Sequence, residues 1–426
     1  MKRFNPFFYL VLILSIPACS PDPAEPTADQ ASKSLPPLPL TEEELADKVK
    51  GMLVGSAIGD AMGAPTEMWD RESIHRTYGW VDDLDSMVRE VSPEGTWKVN
   101  LPAGGTTDDT RWKKLVFEYM ERQPKLELNA SEFSQHIIRE YEGYFADFKT
   151  LTPTQTEALE FASLRVLWLQ EWYKVSLSVQ EEDLMAYQQS LGKFYGGEMV
   201  CAGLLYAPAI GLRYPGQPEM AYQQAYRLSL YDIGYGKDIS ALSAAMTAAA
   251  MTADGDPTRL LEVLRSVDPQ SFFSSRLVGR SSYRILEVAR AITETVHASA
   301  ADEKRPPDTT FDKEKLMKHA FVLLDEHLQD MPFHVGEIHL QVLTAMLVCD
   351  FDFLDSLTFL VNYGRDNDTT AAILGAVLGA FYGYEKLPAA MKARVIAVNK
   401  ELLDIDLIAL AETQSARIQS FYALKE

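Results

Sequence analysis

The segment GMLVGSAIGDAMG, residues 51–63, carries a glycine at every fourth position, from Gly51 to Gly63, and this spacing places all of them on one ridge of a helix. The same spacing recurs in GAVLGAFYG, residues 375–383. Each glycine inside a helix costs about 1 kcal/mol relative to alanine, so a run of them indicates that another backbone or a ligand approaches closely. We predict that the two ridges pack against each other, and helix packing alone is sufficient to explain the glycines.

The pattern from Thr41 onward is helical, and strand signals are scarce. Thr41 and Glu44 form a capping box ahead of a helix that ends near Gly63. Apolar residues recur at threes and fours in many later stretches. These stretches are 131–145, 155–175, 182–191, 219–230, 238–252, 280–297, 313–328, 337–348, 353–363, 366–382 and 400–411. We predict an all-α fold in which residues 41–426 form one helical domain.

Two acidic clusters lie far apart in the chain, TDDT at residues 107–110 and DNDT at residues 366–369. Both combine carboxylates with threonine hydroxyls, which are hard oxygen donors. Four aspartates in one pocket would repel, since unit charges about 4 Å apart interact by roughly 4 kcal/mol at a surface-like dielectric. Two divalent cations such as Mg²⁺, or Mn²⁺ in its place, would neutralise them and prefer oxygen ligands.

Each cluster also fits an ordinary helix start, because Thr, Asp and Asn cap free backbone N–H groups and aspartate suits the positive end of the helix dipole. The two interpretations are compatible, since a helix N-terminus keeps its aspartates ionised. Packing of the glycine ridges would bring residues 60–67 beside residues 366–369. A membrane span is excluded, because the apolar stretch 371–381 is far shorter than the ~20 residues required and the first ridge carries Asp60.

Three segments together resemble one known family. GSAIGDAMGAPTE (55–67), TDDT (107–110) and GRDNDTTAAILGAVLGAFYG (364–383) are similar to the ADP-ribosylglycohydrolases, and the resemblance extends from about residue 45 to about residue 385. It implies a compact multi-helix bundle with a two-magnesium centre. It also implies hydrolysis of the bond that joins ADP-ribose to a protein side chain or a small acceptor.

The resemblance assigns roles to individual residues. It implies metal ligation by Thr107, Asp108, Asp109, Asp366, Asp368 and Thr369. Glu67 is implied to reach the metal centre or the scissile ribose, and Glu67 and Asp109 are the candidate catalytic residues. Without the resemblance, Glu67 reads as a surface glutamate after Pro65. Asp60 fits either support of the metal ligands or a buried cap partner.

The sequence departs from the family pattern in three places. Relatives often read GGAMR where this chain reads GGEMV, so Val200 replaces a basic residue, although Gly196 and Gly197 remain candidate substrate-binding residues. Residues 231–232 read Tyr-Asp in place of threonine and histidine, and Arg365 replaces a glycine. These changes leave the predicted metal centre intact, but they put the diphosphate contacts and the acceptor specificity in doubt.

Composition is that of an enzyme of ordinary size, with 426 residues, 47% hydrophobic and 24% charged. The net charge of −21 argues against nucleic acid and anionic lipid as partners, because binding them requires an excess of Lys and Arg. A diphosphate ligand would therefore depend on local positive charge, which the predicted cations supply.

The N-terminus has the pattern of a bacterial lipoprotein signal. Lys2 and Arg3 precede an apolar run, residues 7–16, and a small residue stands before Cys19. We predict a signal peptide at residues 1–18, lipidation of Cys19 and a membrane-anchored protein facing the periplasm; plain secretion is the alternative. Residues 19–40, rich in Pro, Ser and Ala, are predicted to form a disordered tether.

Several alternatives remain open at this stage. Cys201 and Cys349 lie in apolar stretches, so buried free thiols are favoured over a disulfide. His334, Glu337 and His339 suggest zinc only weakly, because histidines five apart do not share a helix face. A non-catalytic ADP-ribose-binding or structural protein is the main alternative to the hydrolase, and a two-metal phosphoesterase has less support. The hydrolase is favoured because all six oxygen-ligand positions are occupied.

Overall fold

A computed structural model describes residues 36–253, 255–302 and 309–423, with no description of the side chains of residues 300–302 and 309–312. The predicted signal peptide and residues 19–35 of the predicted tether lie outside the described residues. From residue 37 onward, the described chain packs as one unit.

The all-α prediction is confirmed: the described residues contain no β-strand, only isolated bridges between Met87 and Leu101 and between Val200 and His334. Seventeen α-helices make up this part of the chain. They are α1 (Glu42–Gly63), α2 (Arg71–Tyr78), α3 (Asp108–Glu121), α4 (Ala130–Thr150), α5 (Thr156–Gln180), α6 (Leu184–Leu191), α7 (Ala207–Gly211), α8 (Pro218–Leu228), α9 (Gly236–Ala250), α10 (Arg259–Ser266), α11 (Ser281–Asp302), α12 (Thr309–Leu324), α13 (Val335–Val348), α14 (Phe353–Tyr363), α15 (Asn367–Tyr382), α16 (Ala389–Leu402) and α17 (Leu407–Ala423).

The antiparallel pair of α1 and α15 forms the centre of the fold, and the two glycine ridges meet as predicted. A Cβ atom added to Gly55 would lie 2.5 Å from the carbonyl oxygen of Gly375, and one added to Gly51 would lie 2.8 Å from the backbone of Gly383. A Cβ on Gly59 would overlap the carbonyl of Ala371. These positions must be glycine because backbone packs directly on backbone.

Both central helices are buried on nearly every side, so neither shows the one-sided apolar stripe of a surface helix. Helices α3, α16 and α17 cover α1, whereas α9, α13 and α14 cover α15. At its N-terminus, α1 begins with the predicted capping box: Thr41 Oγ1 accepts from the Glu44 N–H at 3.3 Å, and Glu44 Oε2 accepts from the Thr41 N–H at 2.8 Å.

One helix prediction was wrong. The stretch 400–411 is not continuous, because α16 ends at Leu402 and α17 begins at Leu407. The Asn399 carbonyl accepts from both the Leu403 N–H (3.1 Å) and the Ile405 N–H (2.9 Å), which turns the chain, and Asp404 has a positive φ of 57°. The apolar period continues across this break, so periodicity alone did not reveal it.

Cys201 and Cys349 are both buried free thiols, as the sequence favoured. Burial raises the pKa of the Cys201 thiol well above its usual value. Among the described residues, no helix is both long and apolar enough to cross a bilayer.

Candidate metal centre

The two acidic clusters converge at the end of the glycine-lined helix pair. Thr107 is the N-cap of α3 and Asp366 is the N-cap of α15, so both clusters occupy helix N-termini. Thr369 Oγ1 donates to Asp109 Oδ2 at 2.9 Å although the two residues are 260 positions apart in the chain. Gly63 lies against the backbone of residues 367 and 368, which allows α15 to begin directly beside the end of α1.

Glu67, Asp366 and Asp368 form a tight carboxylate group. Each offers an oxygen within 4.8 Å of the others. Burial, followed by the charge of Glu67, raises the pKa of both aspartates well above the usual value. Asp368 Oδ1 is buried without a hydrogen-bond partner among the described residues. Clustered carboxylates with an unpartnered buried oxygen fit a hard divalent cation, which prefers oxygen ligands and would offset their repulsion.

Asp60 fixes the N-terminus of α3 from the middle of the core. Its Oδ1 accepts from the Thr107 N–H (2.9 Å) and hydroxyl (3.0 Å), and its Oδ2 accepts from the Thr110 N–H (3.0 Å) and hydroxyl (2.6 Å). Burial and the charge of Asp109 raise the pKa of Asp60 to about 7, and the bonds from the Thr110 hydroxyl and the Thr107 N–H, together with the charge of Lys113, oppose that rise. Of the two interpretations of Asp60, these bonds support the buried cap partner.

The remaining predicted ligands are placed differently from one another. Asp108 is partly exposed and faces a cavity, and burial together with Asp109 raises its pKa well above the usual value. Asp109 is fully buried. The Thr107 hydroxyl donates to Asp60 and also accepts from the Asp109 N–H at 3.3 Å, so only its remaining lone pair is available to a cation.

Glu67 is brought into the site by a backbone pairing between two loops. The Met68 N–H donates to the Arg365 carbonyl at 2.7 Å, and the Arg365 N–H donates to the Trp69 carbonyl at 2.9 Å. Gly364 and Arg365 have positive φ values of 87° and 68°, which form the sharp turn ahead of Asp366.

The Arg365 side chain explains its departure from the family glycine and excludes the weak zinc interpretation. Its Nε donates to Glu337 Oε1 at 2.8 Å and its Nη2 donates to Glu337 Oε2 at 2.9 Å. Glu337 is therefore engaged by an arginine, and His334 Nδ1 accepts from the Gly336 N–H at 3.2 Å. The three residues of the zinc hypothesis do not form a site.

Two cations of the site were missed in the sequence. Arg89 Nη1 donates to Glu67 Oε2 and, at 3.0 Å, to the Ala64 carbonyl. Lys113 Nζ donates to Asp109 Oδ1 at 3.0 Å, and neither side chain is more than 1% exposed. The Asp-x-x-x-Lys spacing of the second pair was readable as an i,i+4 ion pair, whereas Arg89 lies in the irregular stretch 80–106 and carries no such signal.

A cavity of about 90 Å³ opens beside the carboxylates. Glu94 lines it, and its Oε1 accepts from the Tyr195 hydroxyl at 3.0 Å while its Oε2 is buried without a partner among the described residues. Tyr195 lines this cavity, whereas its neighbours Gly196 and Gly197 are not among the lining residues. Val200 lines it too and leaves that wall without a basic side chain.

Fold and site together define an all-helical protein with a buried carboxylate centre. The N-termini of α3 and α15 and Glu67, which follows α1, supply its carboxylates. The family model of ADP-ribosylglycohydrolases matches residues 41–418. The chain belongs to the ADP-ribosylglycohydrolase family, a family of hydrolases.

Comparison with individual proteins agrees with this assignment. Residues of the chain are 32% identical over 106 positions to the ADP-ribosylarginine hydrolase Tri1 of Serratia proteamaculans, covering 25% of each chain. A 36-residue stretch is 44% identical to the uncharacterized protein YegU of Escherichia coli, covering 8% of this chain and 11% of that protein. The matched stretches thus span a quarter or less of these relatives. A solved structure described as an ADP-ribosylglycohydrolase-related protein complex shares the fold, with a TM-score of 0.52 at 17% identity over 88% of this chain and 99% of that one.

Proposed function

We propose that this protein is a magnesium-dependent hydrolase that cleaves the glycosidic bond of ADP-ribosylated proteins or of a related small ADP-ribosyl compound. The observation that carries the proposal is the meeting of the two acidic clusters, in which Thr369 bonds Asp109 beside the group of Glu67, Asp366 and Asp368. The proposed cation ligands are Thr107, Asp108, Asp109, Asp366, Asp368 and Thr369.

The charge of the site supports two Mg²⁺ ions, with Mn²⁺ able to replace them. Six carboxylates surround the centre: Asp60, Glu67, Asp108, Asp109, Asp366 and Asp368. Two cations, Arg89 and Lys113, pair with members of this set, and the Arg111 guanidinium lies close enough to act on Asp108. The carboxylates outnumber these cations, and bound divalent cations would offset the excess of negative charge.

Glu67 is the proposed proton acceptor. Arg89 holds its Oε2, which leaves Oε1 to take a proton from a water molecule that adds to the anomeric carbon of the ribose. The bond from that carbon to the acceptor breaks, and the proton that Glu67 took from water passes to the departing acceptor, which returns Glu67 to its ionised form. Asp109 is the second proposed catalytic residue, and bonds from the Lys113 ammonium and the Thr369 hydroxyl hold its carboxylate in a fixed orientation. Divalent cations bound here would hold ribose hydroxyls and lower the pKa of bound water.

The test is release of free ADP-ribose from a panel of ADP-ribosylated arginine, serine and small-molecule substrates, with Mg²⁺ and with EDTA. The Asp366→Asn, Asp368→Asn double variant should lose activity, whereas Glu90→Gln, an exposed residue of the loop that carries Arg89 and Glu94, should retain it. Equal release by wild type and the double variant would overturn the metal-dependent mechanism. No release from any substrate would favour a non-catalytic ADP-ribose-binding protein.

We also propose export and anchoring through a lipid on Cys19, from the signal pattern of residues 1–18. Incorporation of labelled palmitate into wild type, and its loss in Cys19→Ala, would support the anchor. Secretion of an unlabelled wild-type protein would contradict it.

A further inference from the structure

The Lys113 ammonium lies inside the site rather than at its rim. The Lys113 side chain is fully buried on α3, one turn after Asp109, and donates to Asp109 Oδ1 at 3.0 Å. Among the described residues, Asp109 is the hydrogen-bond partner of this ammonium. A buried charge whose partner was removed would be strongly unfavourable, so the pair is a permanent part of the centre.

The two sides of the centre differ because of this pair. Asp109 has both oxygens engaged, one by the Lys113 ammonium and one by the Thr369 hydroxyl. On the other side, Glu67, Asp366 and Asp368 each offer a carboxylate oxygen within 4.8 Å of the other two. Both sides hold a cation, since Arg89 pairs with Glu67 Oε2, but Arg89 is partly exposed whereas Lys113 is fully buried. The Glu67 side also keeps a buried carboxylate oxygen, Asp368 Oδ1, that has no hydrogen-bond partner among the described residues.

We propose that Lys113 makes the two cation positions unequal, so that an ion binds first at Asp366 and Asp368, beside Glu67, and the ion that shares Asp109 binds second and more weakly. This inference rests on the proposed function in taking the centre as a two-cation site with Asp109 among its ligands. An ammonium repels a divalent cation, and the repulsion would be strong here because the Lys113 side chain is fully buried. Lys113 also occupies Asp109 Oδ1, so an ion that bound this oxygen would have to compete with the ammonium.

Lys113 is on this account a positioning residue that sets cation affinity. Removal of its charge while a hydrogen-bond donor is kept should strengthen the weaker position and leave the stronger one nearly unchanged. Lys113→Gln makes this change, and Lys113→Arg keeps the charge. Lys114→Gln is the matched control, since Lys114 is the next residue on the same helix but pairs with Glu118 at 2.6 Å near the surface.

The experiment is a titration of the full metal-free chain with Mn²⁺, in which unbound Mn²⁺ is followed by electron paramagnetic resonance and the heat of binding by calorimetry. Wild type should bind two ions with dissociation constants at least about tenfold apart. Lys113→Gln should tighten the weaker constant by about tenfold or more, whereas Lys113→Arg and Lys114→Gln should keep the wild-type separation.

Two equal Mn²⁺ sites in wild type, a single site, or no Mn²⁺ binding would each overturn the proposal, even if Lys113→Gln failed to fold. A Lys113→Gln variant that folds with an unchanged weaker constant would also overturn it. Because the readout is binding, hydrolysis of ADP-ribosylated substrates by a protein with two equal sites would refute the role of Lys113 and leave the proposed function intact. Absence of Mn²⁺ binding would count against both.

Discussion

Gly63 lies so close to Asp368 that a Cβ atom on Gly63 would overlap the Asp368 backbone and would lie 2.6 Å from the carbonyl carbon of Asn367. The last glycine of the α1 ridge therefore sets the position of the first turn of α15, which carries the carboxylates of the second acidic cluster. The fold and the site are linked at this contact.

Gly63→Ala should consequently weaken cation binding as well as stability. The added methyl group must displace backbone rather than a flexible side chain, and overpacking of this kind costs about 1–3 kcal/mol or more. The free energy of unfolding from urea titration and Mn²⁺ affinity from calorimetry are the two measurements. Gly59→Ala, which would overlap the Ala371 carbonyl one turn from the site, should lower stability by a similar amount with a smaller effect on Mn²⁺ affinity.

The matched control for both variants is Gly143→Ala. Gly143 is an exposed residue inside α4, and a Cβ there would meet nothing within 4 Å. Alanine should therefore increase the free energy of unfolding by up to about 1 kcal/mol, the intrinsic helix preference. If Gly63→Ala were as harmless as Gly143→Ala, the backbone contact between α1 and α15 would not have the role assigned to it.

The sequence was most informative where a fixed spacing carries the structure. Four-residue glycine spacing predicted the pairing of α1 and α15 because backbone contact along one ridge needs no other information. The capping box of Thr41 was readable for the same reason. The two acidic clusters could be joined into one centre because each is complete within four residues.

Contacts between irregular segments could not be predicted in this way. Arg89 and Glu94 lie in a loop without period, and their partners, Glu67 and Tyr195, are 22 and 101 residues away. The end of α16 depends on the turn around the Asn399 carbonyl, which the apolar pattern does not record. Such contacts depend on the path of the chain in space and leave no local signal.

Asp60→Asn should destabilise the N-terminus of α3. The Asp60 carboxylate accepts four hydrogen bonds from Thr107 and Thr110. In asparagine one of the two oxygens becomes an NH₂ group, which cannot accept the two bonds made to that position. Unsatisfied buried donors cost about 1–3 kcal/mol, which is the expected loss in the free energy of unfolding. Asp70→Asn is the control: Asp70 is the exposed N-cap of α2, where Asn is as good a cap, so a much smaller loss of stability is expected. Equal effects of the two substitutions would contradict the role of Asp60.

The stability of the metal-free protein should fall as the pH rises through neutrality. Burial and Asp109 raise the pKa of Asp60 from 3.8 to about 7, so between these values the folded state binds more protons than the unfolded state. Burial also raises the pKa of Asp108, Asp366 and Asp368. With EDTA present, Tm should be higher at pH 6.5 than at pH 8.

Mg²⁺ should reverse this trend, because the ion binds the ionised carboxylates and competes with protons. The Asp366→Asn, Asp368→Asn double variant should show a weaker pH dependence without metal and little stabilisation by Mg²⁺. If the Tm of the metal-free wild type rises from pH 6.5 to pH 8, the pKa values of these carboxylates are not raised in the folded state.

Glu94 should contribute to substrate binding through its free oxygen. Its Oε1 accepts from the Tyr195 hydroxyl, while its Oε2 lies buried beside the cavity that Asp108 and Glu67 also line. A ligand hydroxyl or amide that donates to Oε2 would satisfy it, so Glu94→Gln should lower kcat/KM for an ADP-ribosylated substrate by about tenfold, which corresponds to about 1.4 kcal/mol. Tyr195→Phe removes the neighbouring donor but leaves the carboxylate, so its effect should be smaller.

The control for the loss of one negative charge from the same loop is Glu90→Gln, because Glu90 is exposed. Identical kcat/KM values for Glu94→Gln and Glu90→Gln would mean that Oε2 meets no part of the substrate.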